Sequence, residues 1–123
     1  MKITISDFLK NGFVISCSNM QEQGFRKRFA GEFGEENLPR TYDGRVLKCA
    51  LGNASLAIKS TYSHFEVVKM AKALDLPFIT IFEDDAYPMS GAMEKMGKWF
   101  QNTEIPDDAD ILMLGNLAYI YDF

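Results

Sequence analysis

An α/β sandwich built on a mostly parallel central sheet is the fold this sequence predicts, and three observations predict it. Short apolar runs alternate along the chain with longer stretches of helical spacing, the pattern of repeated βαβ units. Two of the runs, PFITIF (77–82) and DILMLG (110–115), are apolar at almost every position. That is the mark of a strand covered on both faces. The 123 residues are 47% hydrophobic, with ten Phe and five Tyr, enough for the core of one domain.

Taken in order, KITI (2–5) and GFVISCS (12–18) read as short strands, the second ending near Cys17. NMQEQGFRKRFAGEF (19–33) reads as a helix with Phe25 and Phe29 on one stripe, broken by Gly31 and Gly34. Residues 34–45 read as loop, since Pro39 and the Asp43-Gly44 pair are turn formers. A second helix is predicted from a cap at Asn53, with Ala54, Ala57, Ile58, Thr61, Phe65, Val68 and Ala71 on its inward face; Asp75 and Pro77 end it. PFITIF then follows as a central strand, and MSGAMEKMGKWFQN as a helix that turns Met93, Met96, Trp99 and Phe100 inward as core filling. DADILMLGN (108–116) and AYIYDF (118–123) close the chain as strands.

The formal net charge of −4 argues against nucleic acid as the main partner. No run approaches the roughly 18 apolar residues of a spanning helix. The N-terminal residues lack the unbroken apolar stretch of a signal peptide. Cys17 and Cys49 have no metal-type spacing, so both are expected as free thiols in a cytoplasmic protein whose membrane dealings run through partners.

The chemistry concentrates at Glu83, Asp84 and Asp85, three adjacent acids at the end of an apolar strand. In an open α/β sheet, ligands bind outside the carboxyl ends of the strands. Strand alternation would put Glu83 and Asp85 on one side and Asp84 on the other. Two carboxylates on one side repel, and a divalent cation relieves that; an oxygen-only donor set suits Mg²⁺ or Mn²⁺. The plainer reading is a solvated acidic loop paired with lysines. Receiver domains and haloacid-dehalogenase phosphatases also carry acids at strand ends, but on the first strand, and chain order excludes both.

Order does fit another family. FVISCS (13–18), FRKRF (25–29), YSHFEVVKMA (62–71), LPFITIFEDDA (76–86) and DADILMLGN (108–116) occur in sequence. Together they resemble the core of glycosyltransferase family 25, which includes bacterial lipopolysaccharide and lipooligosaccharide glycosyltransferases. The resemblance implies a GT-A-like, Rossmann-like domain that binds a nucleotide sugar, with the acids holding the diphosphate of a UDP-sugar through Mn²⁺ or Mg²⁺. On this reading Asp85, with Glu83, holds the metal, and Glu83 and Asp84 hold the ribose or a metal-bound water. Ser63 and His64 match the family's Ser-His pair and would lie near the nucleotide. Arg26 or Arg28 would contact the diphosphate, as a guanidinium fork suits phosphate oxygens.

Each of these residues also has a plainer role: His64 as a core-edge histidine, Ser63-x-x-Glu66 as a helix cap, and Arg26 and Arg28 as solvated side chains. Asn116 is read as a turn residue. The implied activity is transfer of a hexose, such as galactose, to a glycan or lipooligosaccharide acceptor. Family members run longer, so a single domain lacking the acceptor-binding portion is expected over residues 1–123. No general base stands out, and Asp122 is a candidate by elimination alone. The alternatives are a non-catalytic nucleotide-sugar-binding module and an inert remnant. A shortened member would leave apolar surface uncovered, hence an expected homo-oligomer.

Overall fold

A computed structural model of the chain describes residues 1–45 and 56–115. Its centre is a three-stranded, all-parallel sheet in the order β2-β1-β3. The strands are β1 (Gly12–Ser16), β2 (Arg40–Asp43) and β3 (Thr80–Glu83). Four helices accompany them among the described residues: α1 (Ile5–Lys10), α2 (Asn19–Phe33), α3 (Leu56–Ala73) and α4 (Ala92–Asn102). The α/β class and the parallel sheet therefore stand as expected.

β1 is buried at all five positions and lies between both neighbours, with Val14 beside Thr41 on one side and Phe82 on the other. Of the three described strands it is the middle one. The regular part of PFITIF is confined to β3, which pairs only with β1 among the described residues. Alternation along β1 divides the core in two. Val14 faces Phe8, Phe25, Phe29, Phe33 and Phe100, drawn from α1, α2 and α4. Phe13 and Ile15 face Val67 of α3 on the opposite side.

The first layer is dominated by aromatic rings. Phe29 lies 5.5 Å from Phe25, 4.7 Å from Phe33 and 5.3 Å from Phe82, ring centre to ring centre, the last at an interplanar angle of 78°. Such edge-to-face and tilted pairs satisfy the ring quadrupoles better than face-to-face stacking.

α2 covers the expected span. Ser18 caps it, its Oγ accepting from the Gln21 amide at 3.4 Å. Gly31 does not interrupt it. The helix stops at Gly34, whose φ of 91° is unfavourable for a residue with a Cβ.

Other expectations need correction. KITI is not a strand: Thr4 caps α1, its Oγ1 accepting from the Asp7 amide at 3.0 Å, and Phe8 and Leu9 are buried. A capping residue three positions before an acid won over a three-residue alternation. The 34–45 loop contains a 3₁₀ turn (Glu35–Asn37) and β2. β2 is half-exposed and four residues long, and Pro39 before it and Asp43-Gly44 after it mask the strand.

On α3 the buried stripe is Ser63, Val67 and Ala71, while Phe65 (57% exposed) and Val68 (49%) face outward. The row packs through Val67 on Phe13 and Ile15 of β1, with Tyr42, Ile79 and Ile81 partly buried around them. Ser63 lies inside the helix and its hydroxyl donates to the Lys59 carbonyl at 2.9 Å, so it is not a cap. Trp99 is 41% exposed and meets Phe100 edge-on at 5.1 Å. Residues 108–115 form no strand, and Ile111 through Leu114 are exposed. Asn53, Cys49, Asn116, Asp122 and the AYIYDF run lie outside the described residues. No helix of the described residues is long and apolar enough to cross a membrane.

Gly12 marks the tightest approach in the sheet. A Cβ there would stand 3.0 Å from the Leu9 carbonyl, 3.2 Å from Pro39 Cβ and 3.3 Å from Phe82 Cε2. Backbone on one side and buried carbon on the others cannot all give way. Gly12→Ala is expected to cost about 1–3 kcal/mol, read as a lower urea midpoint at an unchanged slope.

Candidate functional site

All three strands point their carboxyl ends the same way, so three chain exits gather at one edge of the sheet. β1 leaves into Ser16-Cys17-Ser18 and the N-terminus of α2. β2 leaves into Asp43-Gly44-Arg45, and β3 into Glu83-Asp84-Asp85. α2 packs on one face of the sheet and α3 on the other. At the ends of β1 and β2 lies a polar cleft of about 200 Å³ lined by Ser16, Ser18, Asn19, Glu22, Thr41, Asp43 and Arg45.

The cleft is braced from below. Gly44 donates its amide to the Ser16 carbonyl at 2.7 Å, holding the β2 exit against β1. A Cβ on Gly44 would meet Cys17 Sγ at 2.5 Å and Ser63 Oγ at 3.6 Å, so glycine permits this approach. Cys17 is a free, exposed thiol. Thr41 donates to Glu22 Oε1 at 2.9 Å, and Arg26 reaches both Thr41 Oγ1 and Glu22, the latter at 3.2 Å. Arg26 thus fastens α2 to β2 at the cleft wall.

Arg45 grips Asp43 through two nitrogens at 2.8 Å, and its backbone amide adds a third bond at 2.9 Å. The Arg45 side chain first, and its amide second, hold the Asp43 carboxyl below its ordinary value of 3.8. A carboxyl depressed in the folded state stabilises the fold above its unfolded pKa, and that contribution is lost as pH falls through the folded value. Asp43→Asn should therefore be less stable than the parent at pH 7. The two should converge below roughly pH 4, compared by urea titration at both pH values. An equal gap at pH 7 and pH 3 would count against the pair.

The acidic run sits beside this cleft. β3 ends at Glu83, and the chain turns at once, Ala86 donating its amide to the Glu83 carbonyl at 3.0 Å. Strand alternation therefore does not extend to Asp84 and Asp85, and the expected division of the three acids between two sides does not hold. Each acid has its own surroundings instead. Glu83 is exposed, with Oε1 3.4 Å from His64 Nε2 on α3. Asp84 is half-buried and accepts from Ser16 Oγ at 2.8 Å. The same hydroxyl lies 3.0 Å from the Ser18 carbonyl, but its single proton favours the closer, charged acceptor. Asp85 is exposed, and no side chain among the described residues engages its carboxylate.

Arg28 reaches this turn from α2. Its Nη2 donates to the carbonyls of Asp84 (3.0 Å) and Ala86 (3.3 Å), and its guanidinium lies 3.9 Å from the centre of the Tyr87 ring. Of the residues singled out from sequence, then, Glu83 and His64 meet, and Arg28 holds the backbone around Asp85. Ser63 is buried and turned to its own helix, and Arg26 lies toward β2. Sequence reasoning passed over Ser16, Ser18, Thr41, Asp43 and Arg45. Only the Asp43-Gly44 pair carried a local signal, and it read as a turn.

Among the described residues no three His, Cys, Asp or Glu side chains gather as a closed metal cage. Carboxylate oxygens are nevertheless the donor type that a hard cation takes. Mg²⁺ is commonly held by one or two carboxylates, with substrate phosphates and water completing the shell. Asp85, exposed and unengaged beside Asp84, is such a donor. In comparisons with protein-family models, with curated proteins and with solved structures, nothing matches this chain.

Proposed function

We propose that this chain is the sugar-nucleotide-binding part of a metal-dependent glycosyltransferase of the family 25 type. It would move a hexose from a UDP-sugar to a glycan or lipooligosaccharide acceptor. The observation that carries this reading is the placement of Glu83-Asp84-Asp85 at the carboxyl end of a parallel strand, next to the polar cleft at the ends of β1 and β2. The five ordered motifs that resemble that family support it. So does the general habit of α/β sheets to bind ligands at this edge.

In this reading Asp85, with Asp84 or Glu83, holds Mn²⁺ or Mg²⁺. The ion would supply Lewis-acid charge to the diphosphate oxygens. Ser16 orients Asp84 from the middle strand. The hydroxyls and carboxylates of the cleft offer hydrogen bonds to ribose, and Ser18 with the first amides of α2 offers donors to phosphate. His64 sets the position of Glu83. Asp122, outside the described residues, takes no part in this account, and no residue is assigned as base.

The test is binding followed by turnover. UDP with Mn²⁺ should raise the melting temperature, since a ligand held at 100 times its Kd stabilises the folded state by about 2.7 kcal/mol. Release of UDP from a UDP-sugar in the presence of Mn²⁺ distinguishes an enzyme from a module that binds without reacting. No thermal shift at millimolar Mn²⁺ and UDP would sink both.

A further inference from the structure

From sequence, Arg28 reads as a solvated side chain or, with Arg26, as one of two candidate contacts to a diphosphate. Its contacts point to a different task. One nitrogen, Nη2, spans the carbonyls of Asp84 and Ala86, the residues immediately before and after Asp85. The guanidinium plane is backed by Tyr87 at 3.9 Å. Nε is buried without a hydrogen-bond partner, so the side chain forgoes one bond to hold this pose. Its Cα end is fixed too, since α2 seats Phe25 and Phe29 in the core on either side of it in sequence.

We propose that Arg28 is the positioning residue of the acidic turn: it clamps the carbonyls of the residues on either side of Asp85 so that this carboxylate is presented to the divalent cation. The proposal rests on the reading of the site as a metal–nucleotide site. The turn has three ties. Ser16 holds Asp84 from β1, the Ala86 amide closes the turn on Glu83, and Arg28 anchors it to α2. Of these, Arg28 alone ties both flanks of Asp85 to a neighbouring element. Its positive charge also lies against the turn that carries three acids, which offsets their mutual repulsion before any cation arrives. Arginine suits this task and lysine does not. A planar guanidinium can stack on an aromatic ring while its N–H groups reach carbonyls, whereas an ammonium is a compact point charge with no plane to stack.

The test uses the whole chain, with Arg28→Lys and Arg28→Met beside the parent. Without metal, exchange of the Ala86 amide, which closes the turn on Glu83, should quicken at least ~10-fold in both variants, while the amides of β1 stay protected. Mn²⁺ affinity, measured by calorimetry with Mn²⁺ alone, should weaken ~10–100-fold, the usual effect of removing a group that orients a metal ligand. Arg28→Lys keeps the aliphatic stem and the charge, so it should fold if Arg28→Met does not. Unchanged exchange in Arg28→Lys overturns the proposal, as does unchanged Mn²⁺ affinity. Intact Mn²⁺ affinity with weakened UDP affinity would make Arg28 a phosphate contact instead. A parent protein that binds no Mn²⁺ would overturn the reading of the site, an outcome distinct from a parent that binds and a variant that binds equally well.

Discussion

Phe29→Ala should leave the protein close to unfolding. Phe29 is 1% exposed and touches the rings of Phe25, Phe33 and Phe82, so it joins α2 to itself and to β3. Removing a buried ring loses its transfer free energy and leaves a cavity that the neighbours fill only in part. The usual cost is about 3–5 kcal/mol. Whole-domain stabilities are about 5–15 kcal/mol, so one side chain would remove a large share. For a chain of this size the melting temperature should fall on the order of 10–20 °C. Phe65→Ala on the outward side of α3 provides the contrast: Phe65 is 57% exposed, and its loss should be small. If the two variants melt together, the aromatic layer described above is not the core.

Asp85→Ala should abolish Mn²⁺-dependent release of UDP while leaving the ligand-free melting curve almost unchanged. The two halves of this expectation have separate grounds. Asp85 is exposed and its carboxylate has no partner among the described residues, so the fold loses little, within about 0.5 kcal/mol. On the proposed reading, losing this metal ligand would remove several kilocalories of charge stabilisation on the departing diphosphate, a drop of ~100-fold or more. Ser16→Ala should cost less, ~10–100-fold, because it frees Asp84 to rotate without removing a donor. Asp85→Ala with turnover equal to the parent would refute the assignment of the acidic run.

How legible this was in the sequence depended on distance along the chain. α2 was plain, since Phe25, Phe29 and Gly34 mark its stripe and its end within one local window, although its cap, Ser18, was passed over. β1 was plain as a run without polar residues until Ser16. α1 and β2 were missed because each is short and its strongest local signals, Thr4-x-x-Asp7 and Pro39 with Asp43-Gly44, compete with the apolar pattern. The inward side of α3 was misassigned because helical spacing names several apolar stripes, and packing against β1 selects one. The apolar run 111–114 shows the limit of composition: a strand needs an edge to pair with as well as suitable residues, and none receives it among the described residues.

The site follows the same rule. The three acids were visible because they are adjacent in sequence. The tie from Ser16 to Asp84 was not, because the two residues are 68 positions apart. Arg28 was picked out for its chemistry, but its partners are carbonyls, which sequence does not distinguish from one another.

The parallel order β2-β1-β3 also governs how the molecule assembles. Among the described residues it contains no hairpin, so none of these three strands pairs with another through a tight turn. β1 must wait for α2 before β2 can join it, and for everything up to Glu83 before β3 can. Non-local pairing of this kind slows the search for the native state. A ribosome-bound chain would carry Phe13 and Ile15 uncovered until α3 had emerged, and chaperone capture during synthesis should concentrate on that stretch.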